Sequence, residues 1–285
     1  MHELTDNWLE ALNQEFTRDH IPHQQRPFLA WLRWGQEARR TVIFGDPDVK
    51  KIFAWFRANS PAGAHQVGSF YTGLFYYDAH LWPVEIPIVA GTVTLNALDS
   101  LKTMPANIKS RLESELGLSD GFAHVWCDCI DYSIGIEGLI KVDNGTFWQD
   151  LLRSGHQQLL STVTLLQGNQ PNPKGAEPAR MATEMFLKAF IASKAGMTDA
   201  EARKQIGHNL ERALDKCLEI DPQSELNAIR SALGTFPEIA ERYKQTDKTL
   251  WELWRMYGMA QYSGVTVVRG LSGHDSRSQL FPPPS

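Results

Sequence analysis

The segment that most restricts the fold begins after Asp143-Asn144-Gly145, where the pattern switches to helices and stays there. Trp148, Leu151, Leu152, Leu159, Val163 and Leu166 fall on one helical face, with Asn144 or Thr146 placed to cap it. The loop 168–174 (GNQPNPK) interrupts the pattern with two prolines and a glycine. A second helix over about 177–194 aligns Met181, Met185, Lys188, Ala189 and Ala192, and Ala195-Gly196 ends it as a left-handed cap. Thr198-Asp199-Ala200-Glu201 has the form of a capping box and opens a third helix that points Ala202, Ile206, Leu210, Leu214 and Leu218 inward. Helical composition recurs at 225–233 and at 248–262, where Leu250, Leu253, Trp254 and Tyr257 form the apolar stripe. These segments predict an all-α bundle over 144–265. A polar, proline-ended stretch follows and is expected to be a flexible tail, 266–285.

Upstream the reading is mixed. Leu4, Trp8, Leu9, Leu12 and Phe16 are helically spaced, and residues 28–34 form an aromatic-rich helix after a proline-containing turn. Residues 40–44 read as a strand ended by Gly45-Asp46-Pro47, with Val49, Ile52, Phe53 and Phe56 on a helix beyond it. Aromatic and β-branched runs over 67–98 have the composition of paired antiparallel strands, and 99–116 returns to a charged helix bounded by Pro105. Residues 122–131 and 132–142 read as two more strands, with His124, Trp126, Asp128 and Ile130 on one face of the first and Val125, Cys127, Cys129 and Asp131 on the other. The expectation is an α+β domain over 1–143 with a mainly antiparallel sheet, of no assigned family, able to hold a ligand or protein partner.

Composition excludes several classes. A net charge of -5 argues against broad binding of nucleic acid through a large basic surface, so any such contact must be local. Neither a secretory signal nor an Arg-rich presequence is expected from MHELTDNWLE, and the apolar runs are too broken to span a membrane, which places the protein in the cytoplasm. Three cysteines, two of them only two positions apart, do not suggest a disulfide scaffold. Strand alternation would put His124 opposite Cys127 and Cys129, His20 and His23 flank Pro22 in a polar turn, and Asp46 and Asp48 suit turn and cap chemistry. No metal and no cofactor are expected. Phosphate-loop, dinucleotide-binding, serine-hydrolase and zinc-protease signatures do not occur. The aromatics Phe70, Tyr71, Phe75, Tyr76, Tyr77 and Trp82 suit core packing better than base stacking.

Two short patterns in the helical half carry a resemblance. Glu184, Lys188 and Ala189 form an E-x-x-x-K-A element, and Gly207, His208, Asn209 and Leu210 form G-H-N-L, with Leu214 one residue later than the usual spacing. Over about 147–220 the chain resembles HEPN domains, which pair such a helix with such a segment. Catalytic members are similar in carrying R-x4-6-H, matched here by Arg203 and His208. The resemblance implies a metal-independent endoribonuclease, working as a homodimer and set in a prokaryotic toxin or phage-defence effector. The alternative within the same family is a module that binds RNA, nucleotide or protein without catalysis.

The chemistry can be stated from the residues. When a ribose 2′-hydroxyl attacks the adjacent phosphorus, one group must move protons near neutrality and a cation must meet the charge on the phosphoryl oxygens. Histidine suits the first role and arginine the second. His208 is thus the expected acid/base, Arg203 the phosphate stabiliser, and Lys204 and Asn209 the expected substrate contacts. Lys204 is a departure, because active relatives often place an uncharged or acidic polar residue after the arginine. Five residues along a helix leave Arg203 and His208 about 140° apart, so either the helix breaks at Gly207 or a second copy completes the site. Two plainer readings stand beside this one: His208 as a cap or core hydrogen-bonder, and Glu184 with Lys188 as an i,i+4 helix-stabilising pair.

Overall fold

The computed structural model describes residues 3–39, 41, 43, 45–61, 69–88, 93–141, 144–168, 170–237 and 247–281. The protein is mostly helical and divides into two compact units, Met1–Gly68 and Ser69–Ser285. The division thus falls some 75 residues before the expected boundary at 143.

The first unit consists of α1 (Asp6–Arg18), α2 (Arg26–Glu37) and α3 (Pro47–Ala58). Thr5 caps α1 by accepting the Trp8 N–H, and prolines open α2 and α3, where a missing N–H costs nothing. Leu9, Leu12 and Phe16 bury against Ala30, Trp34, Val49, Ile52 and Phe56, as their spacing predicts. Buried Arg26 donates to the Ile21 carbonyl and to Asn13, which pins the start of α2 to α1. Of the strand expected at 40–44, Arg40, Val42 and Phe44 lie outside the described residues, and Thr41 and Ile43 belong to no strand.

The second unit opens with the antiparallel hairpin β1 (Tyr71–Tyr77) and β2 (His80–Ile86), in the region expected to hold paired strands. Asp78 and Ala79 both have positive φ, 52° and 55°, the backbone of a two-residue turn that matches strand twist. A 3₁₀ turn (Ala97–Ser100), α4 (Ala106–Ser114) and α5 (Leu116–Ile140) follow. After them come α6 (Phe147–Leu166), α7 (Ala176–Ala195), α8 (Asp199–Gln205), α9 (Leu210–Ile220), a 3₁₀ stretch (Glu225–Thr235), α10 (Leu250–Ser272) and α11 (Ser276–Leu280). Helices α6, α7 and α10 pack together, with α5 against α10 and α9 against α7. The hairpin lies on α5, α6 and α10, where the Leu74 N–H donates to the Tyr257 hydroxyl over 3.0 Å and Tyr71 donates to Gln261.

The two strands expected over 122–142 are one helix, α5, and this reduces the expected antiparallel sheet, among the described residues, to the two-stranded hairpin β1–β2. Alternating polar residues mimic a strand here because α5 is buried on more than one side, which blurs its helical stripe. Phe122, Cys129, Tyr132 and Ile136 enter the apolar core, while Asp128 and Asp131, one turn apart, enter a buried ion cluster. The strand argument that separated His124 from the cysteines therefore does not apply. The cysteines are free and buried, burial lifts the Cys127 thiol to about 11, and no metal-binding cluster occurs among the described residues.

The expected flexible tail is also revised. Helix α10 runs to Ser272 and ends on Gly273 at φ 75°, and the Ser276 N–H donates to Asp131 over 2.8 Å. Arg269 of α10 is buried between Asp128 and Asp131. Among the described residues no helix is long and apolar enough to cross a membrane.

At Gly135 α5 lies close against α10: a Cβ there would lie 2.3 Å from Val268 Cγ1 and 2.8 Å from Ser272 Oγ. On helix propensity alone Gly→Ala gains about 1 kcal/mol, but overpacking costs about 1–3 kcal/mol, and Val268 has a stiff β-branched side chain. Gly135→Ala is thus expected to lower stability by up to about 2 kcal/mol in urea unfolding. A stabilised variant would contradict this packing.

Candidate functional site

His208 sits in the break between α8 and α9. The Thr198 box forms as the sequence predicts: Thr198 accepts the Glu201 N–H, and Glu201 accepts from the Thr198 backbone, which holds its carboxyl below the usual range. Helix α8 stops at Gln205, Gly207 adopts φ 59°, and Asn209 restarts the chain as the N-cap of α9. The left-handed backbone at Gly207 is one that a residue with a Cβ adopts only at a cost of about 1–2 kcal/mol. The single helix expected to carry Ala202 through Leu218 is therefore two helices, although Ala202, Ile206, Leu210 and Leu214 all remain buried.

Facing this break is one stripe of α7. Arg180, Glu184 and Lys188 stand at i, i+4 and i+8, and the stripe turns toward the bundle, so Glu184 is fully buried. Lys188 Nζ lies 2.7 Å from Glu184 Oε1, and Arg180 Nη1 lies 3.5 Å from Glu184 Oε2. His208 Nδ1 reaches the same carboxylate, 3.0 Å from Oε1 and 3.3 Å from Oε2. Arg180 Nη2 also donates to the His208 carbonyl over 2.8 Å. The i,i+4 pair expected of Glu184 and Lys188 forms, and it is the buried base of a four-residue cluster.

This geometry orients the imidazole. A carboxylate only accepts, so Nδ1 donates to Glu184 and Nε2 of the neutral ring carries the lone pair. The His208 side chain is 64% exposed, and its Nε2 has no hydrogen-bond partner among the described residues. Arg180 and Lys188 flank this one carboxylate behind the exposed imidazole. Burial lowers the Arg180 pKa, an effect that Glu184 partly offsets, but an arginine stays charged at neutral pH.

The other expected site residues do not converge on His208. Arg203 is bound to Asp199 through Nε at 3.1 Å and Nη2 at 2.8 Å, and no hydrogen bond or ion pair joins it to His208. Lys204 is exposed on α8. The Asn209 side-chain Oδ1 accepts the Arg212 N–H over 2.9 Å, so it serves the helix cap. Arg180 was not singled out by the sequence pattern. Its i,i+4 spacing to Glu184 was visible, but its contact with His208 spans 28 residues. Comparison with family models, with curated proteins and with solved structures finds no match to this chain.

Proposed function

We propose that the second unit cleaves RNA without a metal cofactor, with His208 as the proton-transfer group and Glu184 as the residue that positions it. The chief support is an exposed imidazole whose Nδ1 is held by a buried carboxylate, so that Nε2 faces outward as a base. In this reading Nε2 takes the ribose 2′-hydroxyl proton as that oxygen bonds to phosphorus. The P–O5′ bond then breaks, and the leaving oxygen takes a proton, giving a 2′,3′-cyclic phosphate and a 5′-hydroxyl. The resemblance to HEPN domains over 147–220 points to the same reaction class, and it adds a homodimer and a toxin or phage-defence role as parts of the proposal.

The second reading is a module that binds RNA, nucleotide or protein without cutting. It is favoured by the structural work the cluster already does, since Arg180 and Glu184 fasten the start of α9 to α7. Purified protein incubated with total RNA in EDTA, beside His208→Ala and Glu184→Gln, separates the two. Cleavage by the wild type and its loss in His208→Ala is the expected result. No cleavage by the wild type, or equal cleavage by all three proteins, rejects catalysis.

A further inference from the structure

We infer that the cation meeting the phosphate beside His208 is Arg180 of the same chain, in place of the arginine that the R-x4-H spacing indicates. This rests on the RNA-cleavage reading above and assigns a residue to it. Arg203 is poorly placed for the role. It lies beyond the left-handed break at Gly207, its side chain is 79% exposed, and its Nε and Nη2 are engaged by Asp199. Lys188 is close to Glu184 but nine-tenths buried, and its ammonium is committed to that carboxylate at 2.7 Å.

Arg180 shares the carboxylate with Lys188 and is also largely buried, but it differs in its contact with His208. One of its nitrogens is hydrogen-bonded to the backbone of His208 itself, which fixes the guanidinium to the residue that moves the proton. A guanidinium has five N–H donors. Among the described residues the one hydrogen bond that Arg180 makes is to His208 O; Nη1 is buried toward Glu184 Oε2 at 3.5 Å, which leaves the other N–H groups for a ligand. A phosphoryl oxygen seated beside the imidazole would be an acceptor for the N–H groups that this guanidinium has not committed. Glu184 then serves both partners, accepting from the imidazole and holding the guanidinium at 3.5 Å. The ligand class is a phosphodiester read through its charge, with proton transfer and phosphate stabilisation in one chain.

The test compares full-length wild type, Arg180→Ala, Arg180→Lys, Arg203→Ala and His208→Ala on RNA in EDTA, with kcat and KM measured separately. Thermal unfolding is followed for each protein. Arg180→Ala is expected to lower kcat by about 100- to 1000-fold, the effect of deleting one donor to a developing oxyanion. Arg203→Ala should stay within about threefold of wild type, a surface-substitution effect. Low millimolar guanidinium should restore part of the Arg180→Ala activity but none in His208→Ala. If Arg180→Ala melts early, Arg180→Lys below its midpoint and the guanidinium rescue decide: a slow, rescuable enzyme supports the assignment, and a fast one overturns it.

Mixing Arg203→Ala with His208→Ala gives the opposite check. Restored cleavage in the mixture, or a 100-fold loss in Arg203→Ala alone, places the cation on Arg203 of a second copy and overturns the inference. Cleavage that needs His208 but is indifferent to Arg180 overturns it while leaving the RNA-cleavage reading intact. No cleavage by the wild type removes both.

Discussion

Replacing Arg269 by alanine is expected to destabilise the second unit by about 3–5 kcal/mol, the usual cost of removing one member of a buried ion cluster. Arg269 donates to Asp131 through Nε at 2.9 Å and Nη2 at 2.7 Å, and to Asp128 through Nη2 at 2.7 Å. All three side chains are buried, so the alanine variant leaves two carboxylates close together in a poorly solvated interior, with Arg277, 3.6 Å from Asp128, as the remaining cation. The C-terminal segment should loosen as well, because Asp131 also accepts the Ser276 and Arg277 backbone N–H groups.

The pH dependence of that loss has a definite sign. Desolvation already holds the Asp128 pKa above its ordinary value, although Arg269 pulls it down. Without Arg269 it rises further. A carboxyl whose pKa is higher in the folded state than in the unfolded chain binds more protons when folded, so stability grows as the pH falls toward that raised value. Urea unfolding of Arg269→Ala at pH 7 and pH 5 should therefore show a smaller deficit at pH 5. A deficit under about 1 kcal/mol at pH 7 would mean that the cluster contributes no more than a surface pair.

The second large effect is on rate. His208→Ala is expected to lower RNA cleavage by about 10²- to 10⁴-fold, the range for deleting a general acid or base. Its thermal midpoint should hardly move, because the ring is mostly exposed. Glu184→Gln should behave differently, losing both activity and stability. Its amide no longer balances Lys188 and Arg180, and it can present either an N–H or a carbonyl to Nδ1, so the tautomer is no longer fixed. Equal melting and equal loss in the two variants would place His208 in the scaffold and remove it from the chemistry.

Much of the helical half can be read locally. The α6 and α7 stripes, the Gly196 cap and the Thr198 box are each set by residues within a few positions of one another, and the structure forms all four. The hairpin is legible for the same reason. Helix α5 is not, because its partners are the hairpin, α4, α6, α10 and α11, and burial on several sides replaces the amphipathic signal. Arg269 lies in a stretch that reads as the start of a polar tail, since its partners Asp128 and Asp131 are more than 130 residues away.

The site shows the same limit. His208 is marked by its G-H-N-L setting, and the angular argument on Arg203 anticipates that the helix must break or a second copy must contribute. The break is present at Gly207, yet it does not bring Arg203 to the imidazole. What faces His208 is the Arg180-Glu184-Lys188 stripe, whose spacing alone is indistinguishable from ordinary i,i+4 pairing on a solvated helix.

The decisive measurement is the chemistry of the ends produced when full-length protein cuts a defined single-stranded RNA in EDTA. Attack by the 2′-hydroxyl under His208 predicts 2′,3′-cyclic phosphate and 5′-hydroxyl ends, absent with His208→Ala and with a strand carrying 2′-deoxyribose at the cleaved position. Ends bearing 3′-hydroxyl and 5′-phosphate, cutting that persists in His208→Ala, or an RNA left whole by the wild type would contradict the assignment of His208 as the group that moves the proton.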